Sequence, residues 1–220
     1  MIIMNGFHEC ELKFFVDNHK TIEELTATLF TLCYEEQPER LETDYIFDKS
    51  AHTLKKEKIL FRVRSLIVQD SEEILFTVKT KGTSSTFQDS LEFETSISAP
   101  NHEMIQEITT IIRERTGLVI PDMIFSSTST KDIIHILSSV GLVPVNIVQK
   151  KRKEYSGSSV KVLIDSFPII KGCFVEIEAN SENALFESIQ ELGLDASQAD
   201  KRNYGQIIAE MTNDVKILKF

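Results

Sequence analysis

The sequence predicts an α+β fold built on an eight-stranded antiparallel β-barrel with a charged lumen and helices packed outside. Three observations carry this expectation. Eight segments alternate polar and apolar residues with the two-residue period of a strand. In seven of them the polar positions are mostly ionised, where a solvated sheet face would mix in Ser, Thr and Gln. Amphipathic helical segments are present to cover the apolar faces, which turns the ionised faces inward.

The strands fall near 7–16, 43–48, 58–68, 73–81, 89–97, 145–155, 159–165 and 173–179, with hairpin turns at Ser84-Ser85 and Ser156-Gly157-Ser158-Ser159. Thr21 with Glu24 forms a capping-box pattern before Ile22, Leu25, Leu29 and Leu32, predicting a helix over about 21–34. Asn101 opens a second helix carrying Met104, Ile105, Ile108, Ile111 and Ile112, and Gly117 is placed to end it. Ser129 or Thr130 opens a third, with Ile133, Ile134, Leu137 and Val140, up to Gly141. Two more are expected near 182–192, ending at Gly193, and near 200–212, carrying Tyr204, Ile207, Ile208 and Met211.

Composition narrows the class. With 220 residues and 41% hydrophobic content the chain can bury a core, and no linker or repeat interrupts it, so 1–220 is expected to be a single domain. A net charge of −10 and a pI near 5.1 argue against nucleic acid or an anionic membrane as partner. Cys10, Cys33 and Cys173 are odd in number and lack metal or disulfide spacing. The N-terminus has no secretory pattern, and no run of eighteen apolar residues occurs. A cytoplasmic location is expected, and a homodimer is left open.

Residues two apart on a strand share a face. By this parity Glu9, Glu11 and Lys13 oppose Cys10, Leu12 and Phe14; Arg62 and Arg64 oppose Phe61 and Val63; Thr77, Lys79 and Lys81 oppose Phe76 and Val78. Glu92 and Glu94 oppose Leu91 and Phe93, Lys150 pairs with Arg152, Lys161 with Asp165, and Glu176 and Glu178 oppose Val175 and Ile177. Paired carboxylates suit Mg²⁺ or Mn²⁺, while Arg and Lys suit phosphate oxygens. Together they point to a metal-polyphosphate complex held by side chains, since the chain has no Gly-x-x-x-x-Gly-Lys-Ser/Thr loop.

Other features have plainer readings. Lys150-Lys151-Arg152-Lys153 alternates its faces and so does not form a nucleic-acid patch, and the five His show no ligand spacing. Cys10 reads as a small hydrophobe. Tyr155 and Tyr204 either pack or cap a substrate, and the tail from Val215 to Phe220 either plugs a barrel end, covers a helix or frays.

Glu9-Cys10-Glu11-Leu12-Lys13 resembles the Glu-x-Glu-x-Lys signature of the CYTH superfamily, the triphosphate tunnel metalloenzymes, which include class IV adenylyl cyclases, thiamine triphosphatases and inorganic triphosphatases. The resemblance continues in order through Asp44 to Asp48, Phe61-Arg62-Val63-Arg64, Phe76-Thr77-Val78-Lys79 and Glu92-x-Glu94. Lys150-x-Arg152-x-x-Tyr155, Asp165, Gly172 to Glu178 and Arg202-Asn203-Tyr204 complete it. It implies metal binding by Glu9, Glu11, Glu176 and Glu178, with Asp165 added. It implies phosphate binding by Lys13, Arg62, Arg64, Lys79, Lys150 and Arg152, which Lys81 joins through strand parity. Lys13, Arg62 and Arg152 are then the catalytic cations, and Glu92 and Glu94 the candidate proton acceptors. Two positions depart from the pattern: Ser90 stands where members often place Arg, and Ile46 where the cyclase-like branch tends to have Tyr.

The expected function is a Mg²⁺-dependent (or Mn²⁺-dependent) phosphohydrolase acting on a small-molecule triphosphate, either inorganic tripolyphosphate or an organic triphosphate such as thiamine triphosphate. The alternatives are a class IV adenylyl cyclase converting ATP to cyclic AMP and pyrophosphate, and a non-catalytic polyphosphate-binding module, which the full acidic set disfavours. Carboxylates crowded at a metal site are also expected to repel one another without the metal, so that neutralising one leaves the apo fold as stable or more so.

Overall fold

A computed structural model describes residues 6–127, 129–212 and 217–220. The strands are β1 (Phe7–Val16), β2 (Glu35–Glu36), β3 (Arg40–Asp48), β4 (Ile59–Val68), β5 (Ser71–Lys81), β6 (Gln88–Ser96), β7 (Val143–Ser156), β8 (Val160–Ser166), β9 (Cys173–Ala179) and β10 (Ile217–Leu218). The helices are α1 (His19–Thr31), α2 (Thr53–Lys56), α3 (His102–Thr116), α4 (Thr130–Ser139), α5 (Glu182–Glu191) and α6 (Tyr204–Met211). The strands follow one another in the order β10-β7-β3-β4-β5-β6-β1-β9-β8, and β7 also pairs with β8. Eight strands therefore close as the antiparallel β-barrel that the alternation predicts, with β2 and β10 as additions.

The long elements start and stop where local chemistry dictates. Asn101 caps α3 by accepting from the backbone N–H groups of Glu103 and Met104, and Gly117 ends it at φ 70°. Ser129 caps α4, Ser181 caps α5, and Asn203 with Gln206 forms a capping box on α6. Helix α1 begins earlier than the Thr21 pattern predicts, because Asn18 accepts from Lys20 N–H as the N-cap. It also ends earlier: Leu32 N–H turns back to Thr28 O, and Cys33 adopts φ 60°. The elements absent from the prediction, β2, α2, β10 and the 3₁₀ turns Asp122–Ser126 and Ala196–Gln198, are too short to show a period. Of the tail, Ile217 and Leu218 add to β7, and 213–216 lie outside the described residues.

The contacts divide the chain into two compact units, each with its own core. The first comprises 1–7, 42–81 and 91–148. Its core joins Phe61, Val63, Phe76 and Val78 from the β4–β5 hairpin with Ile108 and Ile112 of α3 and Ile133 and Leu137 of α4. The second comprises 8–41, 82–90 and 149–220. Its core joins Cys10 and Leu12 of β1 with Val175 and Ile177 of β9, covered by Leu25 and Leu29 of α1 and Leu185 and Ile189 of α5. In both, the apolar parity of the strands meets the apolar stripe of the helices, so the charged parity is turned to the opposite side of each strand. No helix among the described residues is long and apolar enough to cross a membrane.

Candidate active site

In the second unit, β1 and β9 run antiparallel in a register that sets Glu11 opposite Glu178 and Lys13 opposite Glu176. Directly opposed residues share a face, so the register alone gathers these four side chains. Next to them, β7 sets Arg152 opposite Asp165 of β8. Lys13 is 1% exposed; its ammonium bonds Glu11 and lies 2.9 Å from Glu176 Oε1. The Arg152 guanidinium donates from Nε and Nη2 to the two oxygens of Asp165, at 2.6 and 2.5 Å, and from Nη2 to Glu176 Oε2 at 2.6 Å. Lys150 Nζ donates to Asp165 Oδ2 at 3.2 Å.

Electrostatics follow from this pairing. Burial works against the charged form of Lys13, but Glu11 and Glu176 outweigh it and raise its pKa. Burial likewise works against ionised Glu176, and Lys13, Arg152 and Lys150 outweigh it, holding the carboxyl well below the usual range. Both groups are therefore ionised at neutral pH despite their burial. Glu9, Glu11 and Glu178 form a separate grouping: each offers one carboxylate oxygen, and these lie within 4.8 Å of one another. Of the five carboxylates expected to bind metal, the structure brings these three together, Glu11 keeping its bond to Lys13 and Glu178 lying 4.0 Å from Arg152, while Asp165 and Glu176 lie outside the triad among the cations. Oxygens around a hard divalent cation at roughly 2.0–2.6 Å lie no more than about 4–5 Å apart, so the triad fits such an ion.

In the first unit, Arg64 grips Asp44 with two parallel bonds, Nε to Oδ1 at 2.6 Å and Nη2 to Oδ2 at 2.9 Å, and reaches Glu42 Oε2 at 3.1 Å. Arg62 lies 3.2 Å from Glu92, 3.5 Å from Glu94 and 3.6 Å from Asp44, and Lys79 lies 3.0 Å from Glu92. Thr77, opposite Arg62 in the β4–β5 register, donates to Glu94 at 2.6 Å. The Nε of Arg62 is buried without a hydrogen-bond partner. Lys81 is exposed at the end of β5 and forms no ion pair among the described residues. Ser90, which belongs to the second unit, is 2% exposed with its hydroxyl unpartnered.

Several participants escape the sequence reading. Glu42 is fully buried against Arg64, and its parity with Asp44 would reveal it once β3 is extended back to Arg40. Glu154 bonds Arg40 at 2.7 Å, a contact between segments more than a hundred residues apart that no local pattern signals. Asp48 has a structural task instead, accepting from the N–H groups of Lys49, Leu54 and Lys55 at the start of α2.

Comparison with known proteins bears on the fold and the family. Among curated proteins, none matches the chain. The PH1819 protein of Pyrococcus horikoshii shares the fold with a TM-score of 0.65 at 19% identity, over 92% of this chain and 99% of that one. A candidate adenylate cyclase of Vibrio parahaemolyticus aligns with a TM-score of 0.62 at 18% identity, over 93% and 99% of the two chains. A candidate adenylyl cyclase of Hippeastrum, described as having a dominant triphosphatase activity, aligns with a TM-score of 0.54 at 13% identity, over 94% and 97%. The CYTH domain model matches residues 8–204, a span that contains both charged clusters, and the chain belongs to the CYTH family.

Proposed function

We propose that this protein is a divalent-metal-dependent triphosphatase, acting on inorganic tripolyphosphate or an organic triphosphate. The observation that carries the reading is the donor triad Glu9, Glu11 and Glu178 set beside the buried cations Lys13 and Arg152. Five carboxylates (Glu9, Glu11, Asp165, Glu176, Glu178) against three cations (Lys13, Lys150, Arg152) leave the second unit's cluster with a formal charge of −2. Such a cluster repels a polyphosphate until a divalent cation neutralises it.

Glu9, Glu11 and Glu178 would hold Mg²⁺ or Mn²⁺, and the ion would polarise phosphate oxygens and offset charge on the transferred group. Lys13, Lys150 and Arg152 bind phosphate oxygens, and Asp165 and Glu176 orient these cations by the bonds described above. Lys13 and Arg152 stabilise charge developing on the leaving phosphate. Arg62, Arg64 and Lys79 are phosphate ligands of the first unit, with the free Nε–H of Arg62 a donor ready for an acceptor. Within that cluster Glu94, which meets Arg62 and Thr77, is the more accessible candidate to take a proton, its side chain 33% exposed against 19% for Glu92, which meets both Arg62 and Lys79. The free state of all three cysteines agrees with a cytoplasmic location.

A second reading, adenylyl cyclase, is favoured by the description of the Vibrio neighbour. Incubating the protein with Mg²⁺ and tripolyphosphate, thiamine triphosphate or ATP, then resolving the products by chromatography, separates the two. Orthophosphate release is expected. Cyclic AMP with pyrophosphate from ATP would replace the hydrolase by the cyclase, and full turnover in excess chelator would remove the metal from the mechanism.

A further inference from the structure

Tyr204 is placed by the segment that precedes it. Asp200 exchanges two backbone hydrogen bonds with Lys13, at 3.1 and 2.7 Å, docking this segment on β1 at the residue that carries the buried ammonium. Arg202 secures the link by bonding Asp200 Oδ2 at 2.6 Å and Glu210 of α6. The Tyr204 ring then faces two ammonium groups, with Lys13 Nζ 5.1 Å and Lys150 Nζ 4.9 Å from its centroid. Behind it are Phe167 and Phe174, at centroid distances of 4.9 and 5.5 Å.

Packing and cation–π attraction account for the ring but not for the hydroxyl, since a phenylalanine would serve both. The hydroxyl is buried and meets no acceptor in full hydrogen-bond geometry, Asp165 giving it at most a weak bond, a condition that native structures rarely tolerate. The neighbouring Asp165 has both oxygens engaged by Arg152 and Lys150. Burial above all, then the negative charges of Asp165 and Glu176 and, least, a hydrogen bond towards Asp165, raise the phenol pKa well above 10, so the group stays protonated as a donor. Resting on the reading that this cluster binds a triphosphate, we propose that Tyr204 is a further phosphate-binding residue. Its ring holds the Lys13 and Lys150 ammonium groups side by side, and its hydroxyl donates to an oxygen of the phosphate chain that those lysines grip.

The test is calorimetric titration of Mg²⁺-loaded protein with inorganic tripolyphosphate, alongside melting temperatures without ligand. Tyr204→Phe is expected to melt at the same temperature or higher, having lost a poorly satisfied buried hydroxyl, yet to bind tripolyphosphate about tenfold or more weakly, the scale of one hydrogen bond to a charged acceptor. Tyr204→Leu, which also removes the support of the lysines, is expected to bind more weakly still. Binding by Tyr204→Phe within twofold of the unsubstituted protein would overturn the hydroxyl's role, and equal affinities for the Phe and Leu variants would overturn the ring's. A lower melting temperature for Tyr204→Phe with unchanged affinity would assign the hydroxyl to the fold. Failure of the unsubstituted protein to bind tripolyphosphate would reject the triphosphate reading itself, and the role of Tyr204 with it.

Discussion

The expectation that neutralising a metal carboxylate relieves repulsion holds only for carboxylates without a cation of their own, and Glu11 has one. Its bond to Lys13 lies in a site where the lysine is 1% and the glutamate 4% exposed at the side chain. Removing the charge leaves Lys13 short of a buried partner, whereas Glu178 is 20% exposed and sits 4.0 Å from Arg152. In chelator, Glu11→Gln is therefore expected to lose about 1–3 kcal/mol of stability and Glu178→Gln within ~1 kcal/mol, read by denaturant melts. Equal losses would show that the ion pair adds nothing to the fold. A second residue reports on pH. Burial disfavours ionised Glu154, but Arg40 and Lys161 outweigh it and lower its pKa below the ordinary 4.5. Its stabilisation is present above about pH 4.5 and is lost as pH falls through the folded value. Melting temperatures measured from pH 6 down to about pH 3 should fall less steeply for Glu154→Gln than for the unsubstituted protein; parallel curves would refute the assignment.

On the scale of one element, β7 shows how alternation sorts adjacent charges. Lys150 and Arg152 are buried in the ion-pair cluster, while Lys151 is exposed and Lys153 reaches Glu36 at 2.8 Å with 43% of its side chain exposed. Arg152→Ala strands Asp165 and Glu176, both buried, and is expected to cost about 3–5 kcal/mol when the other partners cannot compensate. It should also lower kcat/KM roughly 10²–10³-fold by removing a preorganised donor. Lys151→Ala changes stability by no more than ~0.5 kcal/mol and leaves turnover intact. Steady-state kinetics and melts of both variants decide it, and similar losses in the two would contradict the facing of β7. The same alternation made the strand faces legible in the sequence, as the caps Asn101 and Ser129 made the helix starts legible, whereas the Ser181 cap of α5 was not read there. Thr21 misled because Asn18 is the better acceptor two residues ahead of the helix N–H that it satisfies.

For the molecule as a whole, a chain of net charge −10 must gather cations locally if it is to hold an anion, and it does so in both units. Because a divalent ion that binds only the folded chain stabilises it by mass action, Mg²⁺ at about a hundredfold over its Kd should add roughly 2.7 kcal/mol. Glu9→Gln should abolish most of that increment, measured as the change in melting temperature between chelator and Mg²⁺, and an undiminished increment would place the ion elsewhere. The second unit is assembled from three stretches of chain, with β1 paired to β9 across more than 150 residues. This long-range pairing separates what was legible from what was not. The sequence by itself determined the alternation that makes strands, the caps that bound helices, and which residues are charged on which face, because these depend on neighbours within a few positions. It is the folded chain that brings Glu9, Glu11 and Glu178 within reach of one common ion, and that gives Asp165 and Glu176 to Arg152, Lys150 and Lys13. That division depends on the register setting Lys13 opposite Glu176 and Glu11 opposite Glu178, and register is chosen when two distant strands bury their apolar faces together.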